Sequence, residues 1–291
     1  INVSSLHLQS NNFSRTIAEY LESHPSIKPQ NIEFEVLENS TLNNLNTISK
    51  ALTTCKEYLG VSFSLDDFGA GHSSLAHLRD LAVDSIKIDS DFINGILNDP
   101  SDYAIIDSVI SLANAFNKNL IAEGVETTEQ GLVLINMGCR QAQGNAIAPP
   151  MPAKDILSWL NNYSANEKWQ HYGSTAFTTR EKRVNLFILL GETWYNQFIL
   201  DIQSPPKKID PSSTLIREHC HCEYWLKRVK QEQVFEPEPL AKFETIHDEL
   251  LAFSATISDR HLNNKINEAR ADLEQLTSLY NDMITAVKKC I

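Results

Sequence analysis

No apolar run in this 291-residue chain approaches the ~20 residues needed to cross a bilayer, and its first residues carry neither a basic region nor a cleavage-like pattern. Neither a membrane span nor a secretory leader is expected in this segment. Positive charge is also in short supply: 25 Lys and Arg stand against 37 Asp and Glu, a formal net charge of −12. No basic stripe is offered to a nucleic-acid polymer or an anionic membrane, so an anionic ligand needs a local answer such as bound cations. Cysteine is sparse and odd in number. Cys55, Cys139, Cys220, Cys222 and Cys290 do not make the dense framework of a small secreted domain, and a cytoplasmic, reducing setting is expected. The chain has no Gly-x-Ser-x-Gly elbow, no Gly-rich phosphate loop with its Lys and no Cys-x-x-Cys pair, which removes the chemistries those motifs serve.

What is present is ordinary globular composition, 42% hydrophobic and 21% charged, in a chain long enough for two cores. Up to residue 163, short β-branched runs alternate with amphipathic helical runs, the pattern of βα units wound into a parallel sheet or barrel. The strand-like runs are 1–4, 32–36, 61–65, 85–88, 120–122 and 140–143. Between them, segments such as 101–116 set Ile105, Ile106, Val109, Ile110, Leu112 and Ala113 on one helical face. Residues 164–179 are polar text that reads as a linker. Residues 180–291 then turn helical with no convincing strand, broken at Ser204-Pro205-Pro206 and Pro237-Glu238-Pro239. Helices are expected near 180–203, 212–231, 239–257 and 260–288, an all-α four-helix bundle.

Acidic residues gather where the strands of the first half end. Glu35 and Glu38 follow one run, Asp66 and Asp67 the next, then Asp89 after Lys87, then Glu123 and Glu126. In parallel α/β architectures the carboxyl ends of strands face the active site, so these side chains are expected to converge. Any one of them alone reads as a solvated helix cap, but acids at four successive strand ends do not. A crowd of carboxylates repels itself without cations, and an all-oxygen set suits Mg²⁺ or Mn²⁺, with room for two ions if Asp66 and Asp67 each reach one. Two such ions serve phosphodiester hydrolysis, and Lys87 among them is a candidate base if nearby metal charge depresses its pKa.

The runs Glu35-Val36-Leu37-Glu38, Asp66 to Leu75, Ile86-Lys87-Ile88-Asp89, Glu123-Gly124-Val125-Glu126 and Gln143-Gly144 resemble successive signatures of the EAL-type cyclic di-GMP phosphodiesterases, over roughly the first 155 residues. The resemblance implies a TIM-like barrel that hydrolyses cyclic di-GMP with two Mg²⁺ or Mn²⁺ ions and dimerises through the barrel. It implies Asn2, Glu35 and Asp66 as ligands of the first metal, and Asp67 and Glu123 as ligands of the second, with Asp66 bridging. Lys87 would be the base or water-orienting group, and Gln143 and Asp89 would support site or substrate. Glu38 and Glu126 would brace the loop that starts at Phe68, in which Gly69 and Gly71 permit unusual backbone conformations. Leu37 and Asn145 depart from the family pattern without removing a ligand. The Glu-Ala-Leu strand that names the family would precede Ile1. The barrel over 1–163 is therefore expected to be incomplete at its N-terminus, a piece of a longer protein, and weak or inactive by itself.

In the second half, His219-Cys220-His221-Cys222 is a dense set of soft ligands, with His219 and Cys222 on one helical face and His247 available from the next helix. This stretch resembles the chemoreceptor zinc-binding domain, a four-helix bundle holding zinc with one Cys and three His. Cys220, Trp225, Trp194 and His247 fit its pattern, whereas Gly191, Phe243 and Glu223 depart from it, the first two at ligand positions. Bound Zn²⁺, a metal-free thiol sensor and a purely structural bundle all remain open. Trp194, Trp225, Leu250 and Phe253 read as core. The first expectation for the whole is a signalling phosphodiesterase tuned by residues 180–291. The alternatives are a non-catalytic cyclic di-GMP receptor and a zinc or redox sensor with a vestigial phosphodiesterase.

Overall fold

The computed structural model describes residues 1–10, 12–41, 45–69, 75–205 and 221–291. In chain order the elements begin with helices α1 (Ser5–Leu8) and α2 (Phe13–Ser23), strand β1 (Glu33–Leu37), helices α3 (Glu38–Thr41) and α4 (Leu45–Leu59), and strand β2 (Ser62–Phe68). Helix α5 (Leu75–Asp80), strand β3 (Ser85–Ile88), helices α6 (Ser90–Gly95) and α7 (Pro100–Ala115), and strand β4 (Asn119–Ala122) follow. Helix α8 (Thr128–Met137), strand β5 (Gln141–Ala142), and helices α9 (Ala153–Asn162) and α10 (Glu167–Ser174) complete the first part. The remainder is helical: α11 (Thr179–Gln203), α12 (His221–Glu232), α13 (Pro237–Leu262), α14 (Ile266–Ala271) and α15 (Leu273–Lys288).

These elements form two compact units, one of Ile1–Asn94, Ile105–Thr127 and Gly138–Asn162, the other of Gly95–Ala104, Thr128–Met137 and Tyr163–Ile291. In the first, the five strands pair in parallel in chain order, β1 to β5. That order is what βα units produce when each strand adds beside the last, and it brings all carboxyl ends to one edge. Residues 1–3 run along the outer side of β1 through a parallel bridge from Asn2 to Glu35. The strands carry Val36, Phe63, Leu65, Ile86 and Ile88 into a dry core. Where β2 meets β3, Leu65 pairs with Ile86 but Phe68 pairs with Ile88, so β2 holds one extra residue. This is a β-bulge, and Asp67 takes a left-handed backbone at φ 54°, a region Asp tolerates better than most residues. The helix expected over 101–116 is α7, and Ile106, Val109, Ile110 and Ala113 are buried, while Ile105 is partly exposed.

In the second unit, Phe187, Trp225 and Phe243 meet at ring-centroid separations of 4.9 to 5.5 Å, within a core that includes Phe198, Leu250, Ile257, Leu276 and Met283. Trp194 and Phe253 pack on its margin. The helix expected over 260–288 is divided: α13 runs on to Leu262, and α14 and α15 follow. Positive φ at Asn264 makes the turn. Residues 164–179, read from the sequence as a linker, carry α10. Asn166 caps that helix by accepting from the Lys168 and Trp169 amides, which is why polar text forms a helix here. Among the described residues no helix is long and apolar enough to cross a membrane.

Candidate functional site

The strand ends of the first unit deliver a compact charged cluster. Lys87, on β3 with its side chain only 5% exposed, sets Nζ 3.1 Å from Glu35 Oε1, 2.9 Å from Asp66 Oδ1 and 2.5 Å from Glu123 Oε1. Along β3, Ile86 and Ile88 point to one side and Ser85 and Lys87 to the other, so strand alternation alone aims the ammonium at the acids. Burial pulls the Lys87 pKa down, but its contacts with Glu123, Asp66 and Glu35 outweigh that and the net shift is upward. In this arrangement Lys87 is a firmly protonated cation. The base role expected of it therefore requires that its carboxylate partners be engaged elsewhere.

Asp66, Asp67 and Glu123 each offer one oxygen, and these oxygens lie within 4.8 Å of one another. Neighbours on a regular strand point to opposite faces, so Asp66 and Asp67 converge only because the bulge turns Asp67. Burial raises the pKa of Asp67, assisted by Asp66 and Asp89, against Lys87. Glu123 is likewise raised by burial, and Lys87 opposes the shift. Asp66 Oδ1 is buried, with the Lys87 ammonium 2.9 Å away. A buried carboxylate oxygen inside an all-oxygen cluster with more carboxylates than ammonium groups fits a hard divalent cation.

Supporting groups surround this centre. Gln143 Nε2 donates to Glu123 Oε1 at 2.7 Å, and the Gly69 amide donates to Glu38 Oε2 at 2.8 Å, with Glu38 buried. Gly69 has φ 104°, and a methyl there would fall 2.8 Å from the Phe92 ring, so the position demands glycine. Asp89 accepts from the Asp91 amide at 2.9 Å and so caps α6 rather than pointing freely at a ligand. Asn2 sits beside Glu35 across the sheet, exposed, and borders an apolar cavity of about 450 Å³ with Phe13, Ile17 and Phe34. Glu126 is exposed. Most of the loop that begins at Phe68, including Gly71, lies outside the described residues.

The soft-ligand site is only partly in view. His219 and Cys220 lie outside the described residues, while Cys222 and His247 are buried in the second unit. Among the described residues, Asp66, Asp67 and Glu123 are the set of His, Cys, Asp and Glu groups able to hold a metal. His221, a possible substitute ligand, instead sets Nε2 3.1 Å from the Ile96 carbonyl and its ring edge-on to Tyr103. The two departures from the zinc pattern are filled by aromatic packing. Phe243 is fully buried against Phe187 and Trp225, and the space above Gly191 is occupied by Tyr280 and Phe187. Missed in the sequence was the anchoring of α10, although Asn166 followed by an acid was a legible helix start.

The EAL domain profile matches residues 1–150. The bifunctional diguanylate cyclase/cyclic di-GMP phosphodiesterase MucR of Pseudomonas aeruginosa is 34% identical over 158 residues, 54% of this chain and 23% of that protein. PdeN of Escherichia coli, named a probable cyclic di-GMP phosphodiesterase, is 36% identical over 160 residues, 55% of this chain and 30% of that one. The chain thus spans less than a third of the length of these curated relatives. Among solved structures, the MucR phosphodiesterase in complex with cyclic di-GMP aligns at TM-score 0.51 and 34% identity, over 53% of this chain and 62% of that one. The EAL domain of Mycobacterium smegmatis DcpA aligns at TM-score 0.52 and 34% identity, over 55% and 71%. The parallel sheet with its helices is of the TIM-like barrel type shared by these neighbours. The chain belongs to the EAL domain family.

Proposed function

We propose that the first unit binds cyclic di-GMP and hydrolyses one of its phosphodiester bonds to give linear pGpG. The observation that carries this reading is the convergence of Asp66, Asp67 and Glu123 with Lys87 among them, at the strand ends of a chain whose relatives include named cyclic di-GMP phosphodiesterases. Asp66, Asp67 and Glu123 would hold Mg²⁺ or Mn²⁺, with Glu35 and Asn2 beside them for a second ion. Such cations would neutralise phosphate charge and supply a hydroxide-like water. In the reaction, water oxygen bonds to phosphorus as the bridging P–O bond breaks, and the leaving ribose oxygen takes up a proton. Lys87 draws Glu35, Asp66 and Glu123 together, and its N–H donors would reach the incoming water as those carboxylates turn to the cations. It becomes a base only when its carboxylate partners turn to other charges. Gln143 holds Glu123 in orientation, and Glu38 anchors the start of the loop at Gly69.

Residues 1–163 are read as the phosphodiesterase domain and 180–291 as a regulatory helical bundle, with dimerisation through the barrel. The buried thiols of Cys55, Cys139 and Cys290 support a reducing, cytosolic setting. A sensor role for Cys220, Cys222, His219 and His247 remains the secondary reading, supported by the burial of Cys222 and His247. A non-catalytic receptor is disfavoured because the acids and Lys87 are all present and assembled. The test is Mg²⁺- or Mn²⁺-dependent formation of linear pGpG by this chain and by any longer natural polypeptide that contains it. Absence of product from both with either metal overturns the enzyme.

A further inference from the structure

The exits of β3, β4 and β5 meet in a seam beside the charged cluster. The Glu123 amide donates to the Ile88 carbonyl at 3.2 Å, and on the other side the Gln143 amide donates to the Ala122 carbonyl at 2.8 Å. Beyond them the Val125 amide donates to the Gln143 carbonyl and the Ala146 amide to the Val125 carbonyl, each at 3.0 Å. Backbone pairing thus continues past the last residues of the three strands and satisfies groups that a looser loop would leave to water.

Two glycines let these exits close to contact. A methyl on Gly124, φ 69°, would fall 2.7 Å from Cβ of Ser90, the first residue of α6. A methyl on Gly144 would meet the Val125 amide nitrogen and carbonyl oxygen at 2.3 Å each. No side chain fits between the β3 and β4 exits at the first point, or between the β4 and β5 exits at the second. The Val125 side chain is itself fully buried. Glu123 therefore starts a backbone stretch held on one flank against Ser90 and on the other against Gly144. A glutamate has three side-chain torsions, so its carboxylate keeps one place only if its backbone does.

We propose that Gly124 and Gly144 are positioning residues for Glu123, acting from opposite flanks through the backbone of residues 123–125. Gln143 fixes the direction of the carboxylate, and the seam fixes the point from which the side chain starts. Together they keep a Glu123 oxygen within 4.8 Å of oxygens of Asp66 and Asp67. Ser90 directly follows Asp89, whose carboxylate caps α6 through the Asp91 amide, so the turn that starts α6 also sets the β3 flank of the seam. Ser90, Gly124, Val125 and Gly144 all belong to the first unit. The inference rests on the reading that Glu123 serves the metal site.

Mn²⁺ affinity of the whole chain tests it without turnover. Gly124→Asn tolerates the left-handed backbone yet sets a Cβ against Ser90, and is expected to lower affinity about tenfold. Ser90→Gly removes the opposing Cβ, so by itself it should bind nearly as the parent does, and combined with Gly124→Asn it should restore most of the lost affinity. A general loss of stability would not be cured by a second glycine, which lowers helix propensity at α6. Gly144→Ala is expected to lower affinity about as much as Gly124→Asn. Parent affinity in folded Gly124→Asn and Gly144→Ala overturns the proposal, and so does a double variant no better than Gly124→Asn alone. If the variants do not fold, hydrogen exchange in the parent decides: the Glu123, Val125 and Gln143 amides should exchange as slowly as amides inside β3 and β4, and exchange about tenfold faster overturns the seam. A parent that takes up no Mn²⁺ fails the metal reading, and the same exchange rates then decide the seam alone. Affinity that follows the seam in a chain making no linear pGpG sinks the phosphodiesterase reading and leaves the positioning intact.

Discussion

Gln143 Nε2 donates to Glu123 Oε1 at 2.7 Å, joining the residue just past β5 to the carboxylate just past β4. An exposed amide thereby orients a carboxylate that is 14% exposed as a side chain and already in contact with Lys87. Outer partners of this kind set the direction of a ligand oxygen without touching the ion.

Gln143→Ala is expected to weaken Mn²⁺ binding by about tenfold, the usual loss when a ligand's hydrogen-bond partner is removed. Its melting temperature should stay close to that of the parent, because Gln143 is exposed. Calorimetric titration with Mn²⁺ beside thermal unfolding reads both quantities, and unchanged affinity removes Gln143 from the site.

Lys87→Met leaves Glu35, Asp66 and Glu123 facing each other without their ammonium. Without metal the loss of stability should be on the order of 3 kcal/mol, as when one member of a buried ion cluster is deleted. Saturating Mn²⁺ should restore more stability to this variant than to the parent. Denaturant unfolding with and without the ion measures the difference, and equal rescue in both proteins contradicts a shared cation site.

Burial pushes the Cys55 and Cys139 thiols up to about 11 from 9.0. The folded chain favours the neutral thiols, so their contribution is fully present below the unfolded thiol pKa and is lost as pH rises through about 11. Stability of the parent should fall between pH 9 and 11, and a Cys55→Ala, Cys139→Ala double variant should show a shallower fall over that window. Iodoacetamide at pH 8 should modify these two thiols only once the chain unfolds, which mass spectrometry resolves by peptide.

Thr178 and Glu181 form a capping box at the start of α11: Thr178 Oγ1 accepts from the Glu181 amide at 3.2 Å, and Glu181 Oε2 accepts from the Thr178 amide at 2.7 Å. Thr178→Ala should cost about 1 kcal/mol in chemical unfolding. The backbone hydrogen bond from Thr178 holds the Glu181 carboxyl below its ordinary range. Its contribution is therefore present above the unfolded carboxylate pKa and lost as pH falls through the depressed value, and Glu181→Gln, which no longer ionises, should remove that acid sensitivity.

Much of the first unit was legible because its signals are local. Alternating apolar runs gave strands within a residue or two of β1, β3 and β4 and three residues short of the end of β2, and the placement of acids at or just past the strand ends announced the edge where they would stand. The helices after residue 179 were legible from periodicity, but the break at Asn264 and the separate α14 were not, since a single positive-φ turn leaves no periodic trace. Helix α10 was hidden in polar text because its apolar content is concentrated in Trp169, whose meaning depends on Gly131, distant in the chain. The zinc pattern was weak for a physical reason as well. Phe243 and the Tyr280 beside Gly191 complete a dry aromatic core where ligands would stand.

By itself the sequence determined that carboxylates and one lysine lie at successive strand ends, because the order of βα units and the two-residue alternation of strands are local properties of the chain. Only the tertiary structure decided that Asp66 and Asp67, neighbours that a regular strand would point apart, aim at the same place as Glu123. That depends on one extra residue in β2 relative to β3, and a mismatch in register is a relation between two strands that neither strand contains alone.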